Sequence, residues 1–547
     1  MNNLFSLARS GLSTAQAAIS VVGSNLTNGM SPTYSRRDII IAESGGLATP
    51  NGFYGYGAKV NGVQRAYDAF ANNQLRGSIS NWSALQGRHE QLSDIDDMLG
   101  NESDNVSVSL NNLFKAMATL EGNASDGPSR SAVFNSLGAL TQRFNESGKR
   151  LSGLEKSTNT HIEQTAKDIN SYTEQLAEIN TQLERIQGQN GTPPADLLDQ
   201  RDALLEKLSE QIGIDVAENK ITGRVDVTLA DGRPLVSGGT SYKLETSPSA
   251  SDPNKTIVSY VGSDGKASPI NESSITQGRL AGLFKFRNED LTVARNELNQ
   301  IAFQMATRFN EQHTQGFDRN GDPGEPLFSL PDIKARASNG NAGTGKMDSI
   351  RVTDPSRVRA DDYIISFEGG SWTVTTADGR TVEAEVMPGM QPTLTFEGVQ
   401  IDLPAGVADG DSFTLNPMAG MAEGIGRAID SADKLAAAGD EEGGPGDHDN
   451  LTLLLKIQDE KLVGGDTLTG AYTKLVGTIG ANARAVQSGL TSAEIDLDTK
   501  YNTKQALTGV DMNEENVNLA MFYQYYQANS QILQTATSLF DTLLSIR

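Results

Sequence analysis

Apolar residues recur with a helical period at both ends of the chain. The spacing predicts one helix over residues 3–28 and a last helix over about 512–546, because apolar side chains fall on one face every three or four residues. We expect the apolar faces of these two helices to form an assembly interface. The residues assigned to it are Leu4, Leu12, Ala15, Ile19, Val22, Leu26, Val517, Met521, Tyr525, Ala528, Ile532, Leu539, Phe540 and Leu543.

The polar faces of the two end helices carry almost no charge. Arg9 is the only charged side chain in residues 1–35, and Asp541 is the only one in residues 516–546. A surface helix ordinarily has a charged outer face, so we expect both ends to be covered by protein in an assembly. Packing inside the monomer's own core remains an alternative. Membrane-surface helices are less favoured, because they carry Lys and Arg on the polar face.

The longest helical period lies in the second quarter of the chain and predicts a helical rod over 128–187. Its steps alternate between four and three residues, with one four-four step around Thr165, where the local 11-residue spacing relaxes a left-handed supercoil. A second seam runs from Leu468 to Val486. The positions of the long seam are Val133, Leu137, Leu140, Phe144, Ser147, Leu151, Leu154, Thr158, His161, Thr165, Ile169, Tyr172, Leu176, Ile179, Leu183 and Ile186.

Alternating segments with Gly-containing turns predict β structure at 38–66, 214–262 and 341–417. The remaining periodic segments predict further helices. They are 67–99, 106–121, 195–211, 279–313 and the chain from 419 onward, which is interrupted by an acidic, Gly-rich loop at 439–449.

The predicted fold class is mainly α with inserted β. It comprises discontinuous layered domains, with coaxial N- and C-terminal helices, a long helical-bundle rod domain and an outer β-rich domain. A terminal helical core comprises 1–66 plus 511–547, and the inserted outer domain comprises 341–417. The rod domain comprises 67–340 plus 418–510, with a β-hairpin region at about 214–278.

The composition excludes several kinds of partner and chemistry. The 547 residues include 45 Lys and Arg against 69 Asp and Glu, a net charge of −24, which argues against nucleic acid as a partner. The absence of Cys excludes disulfides and a Cys nucleophile. No apolar run approaches the roughly 20 residues of a membrane helix, so we expect no membrane insertion. The start lacks a secretory signal, which leaves a cytoplasmic protein or one exported without a cleaved signal peptide.

No catalytic or cofactor site is predicted. The loop 318–325 resembles a calcium loop, but Ser329 stands where the bidentate Glu is needed, so an ordinary Asx/Gly turn is favoured over a weak metal site. The four histidines are scattered, and a packing or register-setting role is favoured for His161, which lies on the long seam. We therefore expect no enzyme activity, no cofactor and no metal.

Three segments carry a family resemblance. The sequence SNLTN at 24–28, followed by Pro32 and Tyr34-Ser35-Arg36, resembles the N-terminal motif of bacterial flagellar axial proteins. The tail at 509–546 and the internal segment at 310–328 are similar to those of the hook-associated proteins of the hook–filament junction. The resemblance is specific at both ends and weak over 341–417.

The resemblance implies a structural subunit in a ring between hook and filament, with terminal helices lining the axial channel. It also implies export through the flagellar type III apparatus to an extracellular position in the flagellum. The implied partners are further copies of the chain, the hook protein, a second hook-associated protein and an export chaperone at the C-terminal region. Another axial protein, such as hook protein or flagellin, is the alternative. An adhesin or enzyme carried on an axial scaffold is less favoured.

The lone charges of the end helices suggest a pair. If the helices pack antiparallel with Leu4 near Ile546, then Arg9 lies near Asp541. A buried pair of this kind would set register more than it would add stability.

Overall fold

The computed structural model describes residues 2–49, 52–101, 103–190, 193–444 and 446–545. Helices dominate it, and the predicted class, mainly α with inserted β, is confirmed. The helices are α1 Asn2–Asn28, α2 Ala69–Leu99, α3 Val106–Glu121, α4 Gly127–Asn190, α5 Ala195–Gln211, α6 Arg279–Lys285, α7 Thr292–His313, α8 Met421–Gly424, α9 Asp449–Lys456, α10 Leu468–Thr508 and α11 Met512–Ser545.

Every strand pair among the described residues is antiparallel, and the strands occur in three regions of the sequence. The first region contains β1 Arg37–Glu43, β2 Gly46–Thr49, β3 Gly52–Gly55 and β4 Ala58–Arg65. The second contains β5 Asp215–Glu218, β6 Val225–Thr228, β7 Pro234–Ser237, β8 Thr240–Ser241, β9 Leu244–Pro248, β10 Thr256–Val261 and β11 Ala267–Pro269. The third contains β12 Phe328–Ser329, β13 Arg336–Ala337, β14 Ile350–Val352, β15 Tyr363–Glu368, β16 Ser371–Thr376, β17 Thr381–Val382, β18 Glu385–Met387, β19 Thr393–Phe396, β20 Val399–Asp402, β21 Ser412–Leu415 and β22 Gly426–Arg427.

Side-chain caps fix where several helices begin. The Asp68 carboxylate accepts a hydrogen bond from the backbone N–H of Ala71 at 2.8 Å, at the start of α2. Thr467 caps α10 in the same way, with its hydroxyl 3.1 Å from the N–H of Gly470. Each cap satisfies a backbone donor that has no partner inside the helix.

The long helix α4 confirms the predicted rod and spans 64 residues, about 95 Å at 1.5 Å per residue. In its first half the buried positions follow the predicted seam, with Arg130, Thr141 and Gly148 buried beside it. The second half buries a wider stripe, because α5 and α6 cover one side and β7 to β10 cover another. The buried residues of this second half that lie outside the predicted seam are Asn159, Ile162, Ala166, Thr173, Ala177 and Asn180.

Three asparagines of α4 fasten the second β region to the helix. The side chain of Asn180 donates to the carbonyl of Val225 at 2.7 Å and accepts from its N–H at 2.9 Å. Asn170 makes the same reciprocal pair with Leu244, at 2.8 Å in each direction. Asn159 bonds to the residues that precede and begin β10. The three side chains thus hold strands along one face of the rod.

Two expected helices differ from the structure. The predicted helix over 279–313 is divided by a π-helical turn, Phe286–Leu291, which contains the buried Arg287. Residues 419–438 were expected to be helical, but apart from the short α8 and a 3₁₀ turn at Ala432–Lys434 their backbone is extended or irregular. Part of that backbone adds a strand, β22, beside β12, and such pairing competes with local helix formation.

The third β region forms two antiparallel sheets around one core. One sheet has the order β13-β21-β15-β16-β17 and the other has the order β14-β20-β19-β18. Their inner faces share a hydrophobic cluster that includes Tyr363, Phe413 and Ile401, all fully buried.

The domain boundaries proposed from the sequence stay predictions. None of the described helices combines the length and apolarity that crossing a bilayer requires.

Candidate assembly interface

The two ends of the chain meet as an antiparallel helix pair, α1 with α11. Near the start of α1, the rings of Phe5 and Phe540 lie edge to face with centroids 6.3 Å apart. Further along, a β-carbon at Gly11 would overlap the side chain of Asn529. Glycine at this position therefore leaves room for the Asn529 side chain against α1.

Small side chains fill the contact between the two helices. Ala8, Ala15 and Ala18 are almost fully buried on α1, and Ala536 is buried on α11. Side chains of this size permit a short interhelix distance. Ala15 and Val22 therefore pack inside the subunit, although the sequence placed them in an interface between subunits.

Asn25 closes the turn that follows α1 and explains the motif at 24–28. Its side-chain oxygen accepts from the Tyr34 hydroxyl at 2.8 Å and from the N–H of Arg37 at 3.0 Å. Its side-chain nitrogen donates to the carbonyl of Arg37 at 2.9 Å. The Asn25 side chain is only 1 % exposed. Its amide supplies hydrogen-bond partners to backbone groups of the turn that would otherwise be buried without any.

The same region receives the start of α11. The N–H of Arg36 donates to the carbonyl of Thr508 at 2.8 Å, and its guanidinium lies 3.3 Å from the Glu514 carboxylate. The neighbouring Glu515 is buried, and burial raises the pKa of its carboxyl, while a hydrogen bond from Asn25 opposes the rise. These contacts thus hold the turn after α1 against the start of α11.

A buried cluster of ion pairs joins this end of the molecule to the helical body. Arg65, at the end of β4, binds Asp199 at 3.0 Å and Asp202 at 2.8 Å on α5. Arg201 is fully buried and contacts Asp202 and Glu218, each at 2.7 Å. The positive and negative charges of the cluster stabilise one another at a buried position where water does not solvate them. This cluster could not be predicted from the sequence, because Arg65 lies more than a hundred residues from the other members.

The outer side of the helix pair exposes large apolar side chains. On α11, Val517 is 67 % exposed and Leu544 is 58 % exposed, while Tyr523 and Tyr525 are each 55 % exposed. Patches of this kind mark interaction surfaces on soluble proteins. Strands β1 and β4 add further exposed residues, which are Ile40, Ile41, Val60 and Val63.

The predicted interface residues therefore divide into groups. Ala15 and Val22 are buried inside the subunit. The half-buried ones are Leu12, Ile19, Leu26 and Ile532. The exposed ones are Leu4, Val517, Met521, Tyr525, Ala528, Leu539 and Phe540. The side chain of Leu543 and all of Ile546 lie outside the described residues.

Comparisons with known proteins agree over the whole chain. The chain is 36 % identical to flagellar hook-associated protein 1 of Salmonella typhimurium and 35 % identical to that of Escherichia coli, with full coverage of each pair. The Bacillus subtilis counterpart is 22 % identical over 98 % of this chain and 97 % of its own. The chain belongs to the flagellar hook-associated protein 1 family. Its members are structural proteins of the hook–filament junction.

Family models place the similarity along the sequence. The helical domain of flagellar hook-associated protein FlgK matches residues 92–328, and the D2-like domain of flagellar hook-associated protein 1 matches residues 336–417. The C-terminal region of the basal body rod proteins FlgEFG matches 506–546, which contains α11. The terminal helix is thus similar to that of other axial proteins, whereas the body is similar to the hook-associated family.

One solved structure shares the fold. The flagellar hook junction protein FlgK from Burkholderia pseudomallei matches with a TM-score of 0.73 and 23 % identity, covering 79 % of this chain and 99 % of its own.

The structure does not bring Arg9 and Asp541 together within one chain. Neither forms an ion pair with any residue in the described part of the chain, and both side chains are exposed. The contacts of Phe5 with Phe540 and of Gly11 with Asn529 place Arg9 opposite a point on α11 that precedes Asp541 by more than one turn. The expected register places Leu4 near Ile546, which lies outside the described residues, so that register and the Arg9–Asp541 pair stay predictions.

The loop 318–325 forms the Asx turn that was favoured. The Asp318 carboxylate accepts from the N–H groups of Asn320 at 2.7 Å and Asp322 at 3.0 Å. No group of three His, Asp or Glu side chains that could hold a metal occurs within the described ranges.

His313, just before this loop, is fully buried. One ring nitrogen contacts the carbonyl of Glu325, and the other lies 2.8 Å from the N–H of Ala436. The second nitrogen can accept that bond only without a proton, so the neutral ring fits the site. Burial lowers the pKa of His313 to about 4. This role could not be predicted from the sequence, because it depends on a segment more than a hundred residues away.

Proposed function

We propose that this chain is a structural subunit of the bacterial flagellum that forms the junction between hook and filament and assembles by packing its terminal helices against neighbouring copies. The outer face of α11 carries the proposal, because Val517, Tyr523 and Tyr525 each leave more than half of their surface exposed. Burying such a side chain stabilises a contact by about 1.5–3 kcal/mol. A head-to-tail arrangement lets every subunit of a ring or helical polymer cover its neighbour in the same way.

Removing the protein tests this function. A deletion strain should make hooks and release flagellin monomer, but its hooks should lack filaments. Expressing the full chain from a plasmid should restore attached filaments. Electron microscopy of isolated hook–basal bodies measures the outcome. Normal filaments in the deletion strain would contradict the junction role.

We further propose that the protein is secreted without a cleaved signal peptide and works outside the cell. N-terminal sequencing of the protein recovered from isolated flagella should then start at Met1 or Asn2. A start further along the chain would show that a leader had been removed.

The proposed partners are the hook protein, a second hook-associated protein and an export chaperone at the C-terminal region. The exposed apolar face of α11 supports the proposal of a chaperone, because such a surface has to be covered by another protein before assembly. The full chain should co-purify with the chaperone from the cytoplasm, and removal of residues 512–547 should abolish the complex. Retention of the complex by the truncated chain would place the chaperone elsewhere.

A further inference from the structure

A groove of about 1010 Å³ lies beside the terminal helix pair, at the N-terminal end of α1. Its apolar walls include Phe5 and Leu12 of α1, Val60 of β4, and Leu533 and Phe540 of α11. All three elements of the terminal region thus contribute to it, and its shape depends on the packing of α1 against α11.

Two cations and no acidic residue line this groove. Arg9 and Lys59 are both exposed in its lining, and neither forms an ion pair with a residue that the structure describes. The rest of the chain is strongly acidic, with a net charge of −24. An apolar groove with an unpaired Arg at its edge matches a segment that combines an apolar side chain with a carboxylate.

The last turns of α11 have that combination. Asp541 and Leu544 are three residues apart and therefore share one face of the helix. Leu544 is 58 % exposed, and Asp541 has no ion pair among the described residues. Among the described residues, Asp541 forms no ion pair with the Arg9 of its own chain.

We propose that the groove of one subunit receives the end of α11 from a neighbouring copy, with Asp541 of the incoming helix paired to Arg9 and Leu544 packed on the apolar wall. This inference rests on the proposed assembly through the terminal helices and names the contact that sets its register. Lys59 is the one other charged side chain in the groove lining, and residues 516–546 contain no charge besides Asp541, so the Arg9–Asp541 pair can distinguish the correct register from a shift by one turn.

Cysteine cross-linking in assembled flagella tests the contact directly, because the chain contains no Cys. A deletion strain would express two full-length variants together, R9C and D541C, and its isolated hook–basal bodies would be treated with a short bismaleimide. We expect a product of twice the 58.3 kDa chain mass. D498C replaces D541C in the matched control, because Asp498 is also an exposed acid on a long helix, and this pair should give no such product.

Charge exchange gives a second readout. R9E and D541R should each lower the fraction of hooks with filaments by about fivefold to tenfold, as expected for a broken interfacial charge pair. The double variant should restore most of it. The control reversals R484E and D498R change exposed charges on α10 and should have little effect.

The outcomes separate the contact from the function. Attached filaments without the cross-link, or equal cross-linking of D498C, would overturn the contact and leave the junction role intact. A cross-link within one chain carrying both cysteines, or reversals without effect or without mutual rescue, would also overturn it. Normal filaments in the deletion strain would instead overturn the proposed function itself.

Discussion

The molecule contains two long antiparallel helix pairs that differ in what covers them. In the body, α2 packs on α10, and Ile95, Leu475 and Ile479 are fully buried between neighbouring helices. In the terminal pair, alanines form the contact and large apolar residues such as Val517 and Tyr525 face outward. The body pair is thus complete within one chain, whereas the terminal pair has a second apolar surface that one chain does not cover.

This difference separates two uses of the same helical geometry. Large side chains between α2 and α10 supply the transfer free energy that stabilises the monomer. Alanine contacts between α1 and α11 supply less, because little apolar area is buried per residue. Stability of the terminal pair should then come from neighbouring subunits, through the outer face. Each prediction below changes one side of this comparison.

The largest effect is expected at the ion cluster that joins the two regions. Arg201→Met would leave the half-buried Glu218 without its Arg partner and the buried Gly223 carbonyl without its donor, and should cost about 3 kcal/mol of unfolding free energy. The midpoint of urea denaturation measures it. The control Arg484→Met changes an exposed Arg on α10 and should shift the midpoint little. Equal midpoints for the two variants would show that the ion pairs of Arg201 do not stabilise the fold.

An effect of similar size is expected in the core of the body pair. Ile479→Ala removes a fully buried side chain of α10 and should cost about 2–4 kcal/mol through lost burial and a cavity. Ile495→Ala is the matched control on the same helix, because Ile495 is 65 % exposed. It should cost less than about 0.5 kcal/mol. Similar losses at both positions would contradict the assigned burial.

The sequence predicted the parts of this comparison that depend on local period. Both terminal helices, the rod and the seam of α10 follow from apolar spacing, because each helix presents its own residues at fixed intervals. The uncharged outer faces were likewise visible in the sequence.

The features that the sequence did not predict depend on contacts between residues that are distant in sequence. Asn180 is buried and Asn170 is half-buried on α4, because strands more than 40 residues away receive their hydrogen bonds. The orientation of Ala15 and Val22 depends on the register of α1 against α11, which Gly11 and Asn529 fix by contact. Helical period specifies a face, but it does not specify which neighbour covers that face.

The body should be sensitive to acid through His313. The ordinary pKa of His is near 6.5, whereas burial lowers that of folded His313 to about 4, and the nearby Asp318 and Glu325 only partly oppose this. Between these values the unfolded chain binds a proton that the folded chain does not, so stability falls as the pH falls from 6.5 to 4. The loss should reach about 3 kcal/mol.

Urea denaturation at several pH values measures this loss. His313→Gln should flatten the dependence in that window, whereas the exposed His448 offers a control in His448→Gln, which should leave it unchanged. An equal slope for wild type and His313→Gln would assign the acid sensitivity to other groups.

A substitution on the outer face of α11 should have the smallest effect on the stability of the monomer but a clear effect on assembly. Val517→Ser removes an apolar side chain that is 67 % exposed, so the unfolding free energy should change by less than about 0.5 kcal/mol. In the flagellum the same side chain would be covered by a neighbour, and its loss should lower the fraction of hooks with filaments. Val293→Ser is the control, because Val293 is 39 % exposed on α7 in the body. If both variants attach filaments equally well, Val517 is not buried at the junction. The terminal pair would then have no subunit covering its outer face at this position. If only Val517→Ser fails while its monomer remains stable, the missing cover of the terminal pair is another subunit.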